Sequence, residues 1–506
     1  QGNLLWVEQW GHQPYNTAVY ATLTLDNEEN IIITSNFRGV WDLDPGPDEV
    51  LVGNPNNAQL GQFFILKVDE DGNFIWGKEI SGEPILNNNV RAIDKSDGLQ
   101  VDGQNNVHIA GKFSGTVDFD PDITTYEVTS HQLPNGSYQT NSFVLSLDAE
   151  GNFLEVNTLI SEGNNFITSI VLDSQGNFIY VGKFFEALDV DFGAGEYILP
   201  TPNLEEEFIL KYDSNNNFIW AKVIGSGPVY CLEYINYVHT DSNDNILLGG
   251  SFIGGSFDAD PGPDEYILNN LGDRDCFIIK LDQNGEFLWA YAFGSESQER
   301  IVTIAIDDND FIYNQGYFLD TIDFDPTGNE DLIIPTSTLG YSAFIQKLSP
   351  DGEYYGITTI DSYGDTDVLT QDINVDNNND LILYGLFRGT VDFDPGPDVL
   401  SITSNNESVD LFVLKLGQLP LSTEENIFVN QPILYPNPTK GRIDLNLREN
   451  YKDITIQITD ITGKNIQTIN PESSKIIPIE IQGVSGLYFV TVTADNKKTV
   501  LKLIKE

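Results

Sequence analysis

The 506 residues include no methionine, 2 cysteines and 4 histidines, and 25 Lys and Arg stand against 77 Asp and Glu. Each scarcity excludes something. His12, His108, His131 and His239 are scattered, with no pair at metal-ligand spacing and no nucleophile elbow, so the sequence spells neither a zinc site nor a hydrolase triad. Two cysteines make no disulfide framework, and Cys231 with Cys276 leaves two readings open: one bridge, or two buried apolar thiols. A formal net charge of −52 repels nucleic-acid phosphates and anionic membrane surfaces, so no nucleic acid is expected as a partner. No apolar run approaches the roughly 20 residues that span a bilayer, so no membrane insertion is expected. Helical periodicity is missing as well, since no long stretch holds apolar residues at i, i+3, i+4 and i+7.

What the chain has in abundance is a repeat. A double-carboxylate turn occurs six times: Trp41-Asp-Leu-Asp-Pro-Gly-Pro-Asp48, Val117-Asp-Phe-Asp-Pro-Asp122, Leu188-Asp-Val-Asp-Phe-Gly193, Phe257-Asp-Ala-Asp-Pro-Gly-Pro-Asp264, Ile322-Asp-Phe-Asp-Pro-Thr327 and Val391-Asp-Phe-Asp-Pro-Gly-Pro-Asp398. Counted from the first Asp of each, the spacings are 76, 71, 69, 65 and 69 residues, too regular for chance and too long for a helical solenoid. Each repeat runs through an apolar stretch, an Asx/Gly turn, a β-rich run ending in Gly-x-Phe, the acidic turn, a short return and two more apolar runs joined by a tight turn. That order predicts four main strands per repeat, and four-stranded antiparallel units in series predict propeller blades.

The ends of the array predict how it closes. Fourth strands carry Phe74-Ile-Trp76, Phe218-Ile-Trp220 and Phe287-Leu-Trp289, and the chain opens on Gly2-Asn-Leu-Leu-Trp6, whereas the sixth repeat breaks off after Leu411–Leu416. Residues 1–417 are therefore expected to form an all-β, six-bladed β-propeller closed by the N-terminal strand, which leaves no open sheet edge. The start at Gln1 and the absence of Met are read as a processed N-terminus behind a removed export signal.

Residues 418–431 read as a linker and residues 432–506 as a second domain. Charge supports the division: residues 430–506 hold 10 Lys/Arg and 8 Asp/Glu, so of the totals of 25 and 77 the first 429 residues keep 15 and 69, for net charges of +2 and −54. Period-2 alternation at Ile454, Ile456 and Ile458 predicts a small, Ig-like β-sandwich. Its landmarks are Tyr435-Pro436-Asn437-Pro438 with Gly441, Asp460 with Gly463 and Lys464, Gly486 with Tyr488, and a basic last strand. Together these motifs resemble the type A C-terminal sorting domain of the type IX secretion system of Bacteroidota. The resemblance implies export across the outer membrane, recognition by the translocon and its shuttle barrel, and a final place at the cell surface or in the medium. The repeats resemble, more loosely, the β-propeller cargo found ahead of such domains.

The acidic turns could carry chemistry. In Asp-x-Asp on an extended strand both carboxylates point to one face and the middle residue to the other, so packing explains the middle residue and leaves the acids. The candidate calcium ligands are Asp42, Asp44 and Asp48; Asp118, Asp120 and Asp122; Asp189 and Asp191; Asp258, Asp260 and Asp264; Asp323 and Asp325; and Asp392, Asp394 and Asp398. Hard oxygen donors in a flexible loop suit Ca²⁺ over zinc or copper. Turn chemistry alone accounts for the same residues, because Pro fixes φ, Gly takes φ > 0 and Asp bonds nearby amides. Tyr197, Tyr266 and Trp41 adjoin these turns either as packing or as a sugar-stacking surface. The resulting expectation is an exported, non-catalytic binding or adhesion propeller whose protein or glycan ligand is unnamed. Its alternatives are an accessory retained at the secretion or gliding machinery, and a carbohydrate-active enzyme.

Overall fold

The computed structural model describes residues 17–53, 62–82, 89–92, 98–200, 205–226, 232–325, 332–333, 335, 340–362, 367–376, 378–395, 400–404, 409–417, 432–448, 451–452, 454–460, 464–471, 475–494 and 497–505. The chain divides into two compact bodies, Gln1–Gly417 and Gln418–Glu506. Among the described residues every extended element is a strand, and no α-helix occurs.

The first body is a succession of antiparallel repeats. In the third, Asn165–Leu172, Phe178–Phe184, Glu206–Tyr212 and Phe218–Ser226 pair in that order. The fourth repeats this with Leu232–Thr240, Ile246–Ile253, Arg274–Leu281 and Phe287–Phe293, and the fifth with Arg300–Ile306, Ile312–Phe318, Ser342–Leu348 and Tyr354–Ser362. The first has Thr17–Leu25, Ile31–Arg38, Gln62–Val68 and Phe74–Gly82. The second splits its inner strand into Asn89–Ala92 and Leu99–Val101 before Val107–Ser114, Asn141–Leu147 and Phe153–Leu159. The sixth shows Asp367–Val375, Leu381–Arg388 and Asp410–Leu416. The strand expected to complete it, at residues 1–6, lies outside the described residues.

Consecutive sheets pack face to face, which is why the third strands do not alternate. Gln62–Val68, Asn141–Leu147 and Ser342–Leu348 are buried at every position, each lying mid-sheet with a neighbouring repeat against it. The cores therefore lie between repeats: Ile179, Val181, Ile209 and Ile224 of the third meet Ile235, Val238, Ile246 and Ile279 of the fourth in one cluster. The fourth-strand tryptophans serve the same joint. Gly151, Gly285 and Gly352, at φ of 80°, 77° and 82°, close the last hairpins of the second, fourth and fifth repeats. A Cβ on Gly151 would stand 2.9 Å from Trp76, one on Gly285 3.0 Å from Trp220, and one on Gly352 3.1 Å from Trp289, each a tryptophan of the preceding repeat.

The acidic hairpins extend from the second strands, and three of them join the sheet of the repeat before. Each leaves the end of a second strand, and in the second, fourth and sixth repeats it pairs with the last strand of the preceding repeat, as Val117 with Gly82, Asp258 with Gly225 and Asp392 with Asp361. The hairpin thereby covers a sheet edge that would otherwise be open.

In the C-terminal body Ile433–Tyr435, Arg442–Asn446 and Ile476–Glu480 form one sheet. Asn465–Ile469, Thr455–Asp460, Gly486–Ala494 and Lys497–Lys505 form a second. Ile443, Leu445, Ile477 and Ile479 of the first share a single core with Ile456, Ile458, Val490, Val492 and Leu503 of the second.

Candidate functional site

The acidic turns spend their oxygens on the backbone. Asp258 Oδ1 accepts from the amides of Asp260 at 3.0 Å and Tyr266 at 2.8 Å, and Asp260 Oδ1 accepts from Gly262 N at 2.7 Å. Asp42 does the same for Asp44 and Val50, Asp118 for Asp120 and Tyr126, Asp189 for Asp191 and Tyr197, and Asp392 for Asp394 and Leu400. Asp323 Oδ1 takes Asp325 N. Asp44, Asp120 and Asp191 bond the amide two residues on, closing successive Asx turns. The middle residue is the anchor: Leu43, Phe119, Val190, Ala259, Phe324 and Phe393 are buried. Asp48 and Asp264 are exposed, Asp122 pairs with Lys78 of the preceding repeat at 2.6 Å, and Asp398 lies outside the described residues.

Glu206, Asp258 and Asp260 line one shallow cavity of about 240 Å³. Among the described residues, however, no three His, Cys, Asp or Glu side chains converge closely enough to hold a metal ion. In five of the six turns the lead carboxylate has one oxygen doubly engaged by amides, and Asp323 shows one such bond among the described residues. The adjoining aromatics pack: Tyr197 lies 4.7 Å from Phe218, Tyr266 4.8 Å from Phe287, and Trp41 5.9 Å from Phe64. Cys276 is fully buried; Cys231, and with it the bridge, falls outside the described residues.

The tight turns hold more than the sequence discloses. Asp173 Oδ1 accepts from the amides of Gln175 and Asn177 at 2.9 Å, and its Oδ2 accepts from Asn177 Nδ2 at 2.9 Å and from Lys211 Nζ at 2.9 Å. Lys67 with Asp26 at 2.8 Å and Lys280 with Asp241 at 2.7 Å repeat the pair, both partners buried. The same lysines cross to the next repeat, donating to Ala149 O at 3.2 Å, Gln283 O at 3.1 Å and Pro350 O at 2.8 Å. In the second repeat His108 and Ser146 take their place. Burial works against ionised Asp102, but the bonds from His108, Asn106 and the Asn106 and Gln104 amides outweigh it and bring its pKa down to about 2.

A second set of bonds runs from turn to turn. Asn105, Asp244, Asp310 and Asn379 adopt φ near +60°, as their turns require. Their side chains accept from the preceding repeat: Asn27 Nδ2 at 2.7 Å, Ser174 Oγ at 2.8 Å, Ser242 Oγ at 2.6 Å and Asp308 N at 3.4 Å. The third repeat has Gly176 at this position and no side chain to offer, and there Gln100 Nε2 reaches Ile170 O at 3.2 Å instead. The pattern Asp-x-x-Asn/Asp is the signal in the sequence, although nothing in it names the partner.

In the C-terminal body the motif residues tie loops to the last strand. The Tyr435–Pro436 and Asn437–Pro438 peptides are cis. Asn437 donates to Lys502 O at 2.8 Å and accepts from Ile504 N at 2.9 Å. Gly441 sits at φ +123°, Gly486 at +156°, and Tyr488 Oη donates to Val484 O at 2.6 Å. Asp460 ends a strand, Lys464 directly precedes the strand Asn465–Ile469, and Gly463 lies outside the described residues.

An uncharacterized WD repeat-containing protein of Acanthamoeba polyphaga mimivirus is 24% identical over 77% of the chain, which spans 31% of that relative's length. Two solved structures align over much of the chain. One is PorZ, an essential bacterial surface component of the type-IX secretion system of Porphyromonas gingivalis, at 11% identity and TM-score 0.23, covering 95% of this chain and 69% of that one. The other is a Bacteroides caccae protein of unknown function, at 9% identity and TM-score 0.25, covering 67% and 94%. Residues 433–506 match the family model of the secretion system C-terminal sorting domain. The C-terminal body is therefore a type IX sorting domain, and it marks the chain for export across the outer membrane to the cell surface or extracellular space.

Proposed function

We propose that the chain is an exported, non-catalytic binding or adhesion module, delivered by the sorting domain through contact with the translocon and its shuttle barrel. The match of residues 433–506 carries the export half of this reading. The binding half is supported by repeats whose conspicuous acids are committed to turns and latches, leaving a rigid scaffold. The acidic turns on this reading serve folding and need no cation. The proposal includes closure of the first body as a six-bladed ring, with Gly2-Asn-Leu-Leu-Trp6 as the fourth strand of the last blade.

The test has two arms. A reporter fused ahead of residues 418–506 should reach the medium or surface of a strain with a type IX system, and should stay in the periplasm of a strain lacking the translocon. The purified chain, screened on surface glycans and outer-membrane proteins, should bind without turning ligand over; turnover on any glycan would replace the module reading with an enzyme.

A further inference from the structure

We propose that the first body binds a carboxylate-bearing sugar between Arg274 and Arg300, where the fourth and fifth repeats meet. The inference rests on the binding reading above and supplies its site and ligand class. Cations are the rare side chains here, 15 among the first 429 residues against 69 carboxylates, reckoned from totals of 25 and 77 less the 10 and 8 beyond. Most described cations are matched: Lys67, Lys211 and Lys280 with turn aspartates, Lys415 with Asp376, Lys78 with Asp122, Lys222 with Glu286, Lys183 with Glu205 and Glu207, and Arg388 with Asp367, while Lys347 lies over the Phe311 and Tyr313 rings. Among the described residues neither Arg274 nor Arg300 forms an ion pair. In a chain so rich in acid, two guanidinium groups without an ion pair stand out, and Asp273, whose charge reaches Arg274, is itself held by Gln298 Nε2 at 2.6 Å.

The pair is held in position. Arg274 Nη1 donates to Ser251 Oγ at 3.2 Å, and its guanidinium carbon lies 5.2 Å from the Tyr234 ring, over which Lys183 Nζ also sits at 3.6 Å. The two segments meet directly, since Glu299 N donates to Arg274 O at 2.9 Å and Arg274 forms a parallel bridge with Gln298 two residues before Arg300; burial first, then the charge of Arg300, lowers the Arg274 pKa. Arg300 is exposed and is paired through the backbone with Tyr317, whose ring lies 4.9 Å from that of Tyr341 in an edge contact. Glu299 precedes Arg300 but forms no ion pair with it, and its two oxygens accept instead from Ser295 N at 2.8 Å and Ser295 Oγ at 2.5 Å.

Two guanidinium forks side by side suit one carboxylate, which accepts parallel hydrogen bonds from each and removes their mutual repulsion. The half-buried rings of Tyr234, Tyr317 and Tyr341 border them with apolar faces and hydroxyls, the mixed lining that takes a polar ring such as a pyranose. The net charge of −54 over residues 1–429, from 15 cations and 69 acids, disfavours long polyanions at range, so the ligand is one acidic sugar unit rather than a highly charged polymer.

The experiment uses the full chain, with D-galacturonate, D-galactose and inorganic phosphate titrated separately by calorimetry or ligand-observed NMR. Galacturonate should saturate, galactose should bind about ten-fold more weakly or worse, and higher salt should weaken galacturonate. Arg300→Gln should weaken galacturonate about ten-fold or more without moving the melting temperature, and Arg300→Lys, which keeps charge without the fork, should fall between. No saturable galacturonate binding, equal binding of galactose, or equal binding of phosphate would each overturn the assignment. If the chain binds other glycans and Arg300→Gln leaves that binding intact, this site fails and the module reading stands. If it binds nothing on the glycan and protein panels, both fail.

Discussion

Replacing Glu299 by Gln is expected to stabilise the chain in mild alkali and to do nothing in acid. Glu299 is fully buried beside Asp275, also fully buried, whose Oδ1 has no hydrogen-bond partner. Burial, opposed by the two bonds from Ser295 and reinforced by Asp275 and Asp320, pushes the Glu299 pKa from 4.5 to about 7. Burial likewise raises Asp275 from 3.8 to about 6. Because the folded value of Glu299 is raised, the native state between about pH 4.5 and 7 keeps a proton that the unfolded chain has released. Stability therefore falls as pH climbs through that window and stays lower above it. A shift from 4.5 to about 7 corresponds to about 3 kcal/mol at full extent. Gln preserves the shape and one acceptor for Ser295 while removing the charge, so part of that cost returns.

The variant should thus be more stable than wild type by about 1–3 kcal/mol at pH 8, and equal to it near pH 4.5. For a body of this size that is a melting-temperature gain of roughly 1 °C per kcal/mol. Groups held low, such as Asp102 and Asp376 at about 2, titrate below the window and cancel in the difference between the two proteins. Melts followed by tryptophan fluorescence between pH 4.5 and 8.5 supply the test. A difference that is flat with pH, or a wild type more stable at pH 8, refutes the reasoning.

Lys280→Met breaks a buried pair with Asp241 and the crossing bond to Pro350 O, and should cost about 3 kcal/mol; Lys415→Met, at a solvent-screened pair, should leave the melting curve close to that of wild type, and melting curves separate the two. Asp258→Ala removes the acceptor for the Asp260 and Tyr266 amides, so hydrogen exchange at Tyr266 should speed up while the global loss stays at about 1–2 kcal/mol. Excess chelator should leave the melting temperature within about 1 °C, and a larger fall reversed by calcium would restore a cation to the acidic turns. Asn437→Ala unties the loop from Lys502 and Ile504 and should reduce export of the reporter fusion, measured as the secreted fraction.

The strand order was legible because each repeat announces its turns: Asp69 to Asn73 and Asp282 to Glu286 close tight hairpins through the same amide bonds. The buried middle residue of Asp-x-Asp was legible too, from period-2 alternation alone. What the sequence does not contain is the neighbour. Nothing local in Lys211 says that it will satisfy Asp173 behind it and Gln283 ahead of it, because those contacts follow from the stacking of one sheet on the next. The placement of the acidic hairpins is hidden for the same reason. Pairing of Asp258 with Gly225 depends on where the preceding repeat ends, and a motif read one repeat at a time suggests a free loop. Arg274 and Arg300 lie 26 residues apart in different repeats, and only the fold makes them adjacent.

The charge balance inverts the usual way of finding a site. Where acids are few, a cluster of carboxylates draws attention to itself; with 77 of them, clusters arise by number alone, and the turns absorb them through backbone amides that cost no cation. Amides suffice because each turn places two N–H groups on one oxygen, about 1–3 kcal/mol apiece for a charged acceptor, without burying a counter-charge. The 25 cations are too few to neutralise the acids, so each one left unmatched near a boundary between repeats forgoes stabilisation that an abundant partner could have supplied. At Arg274 and Arg300 that pairing is forgone among the described residues, which is why the proposed site is placed there rather than on the sixfold acidic turn.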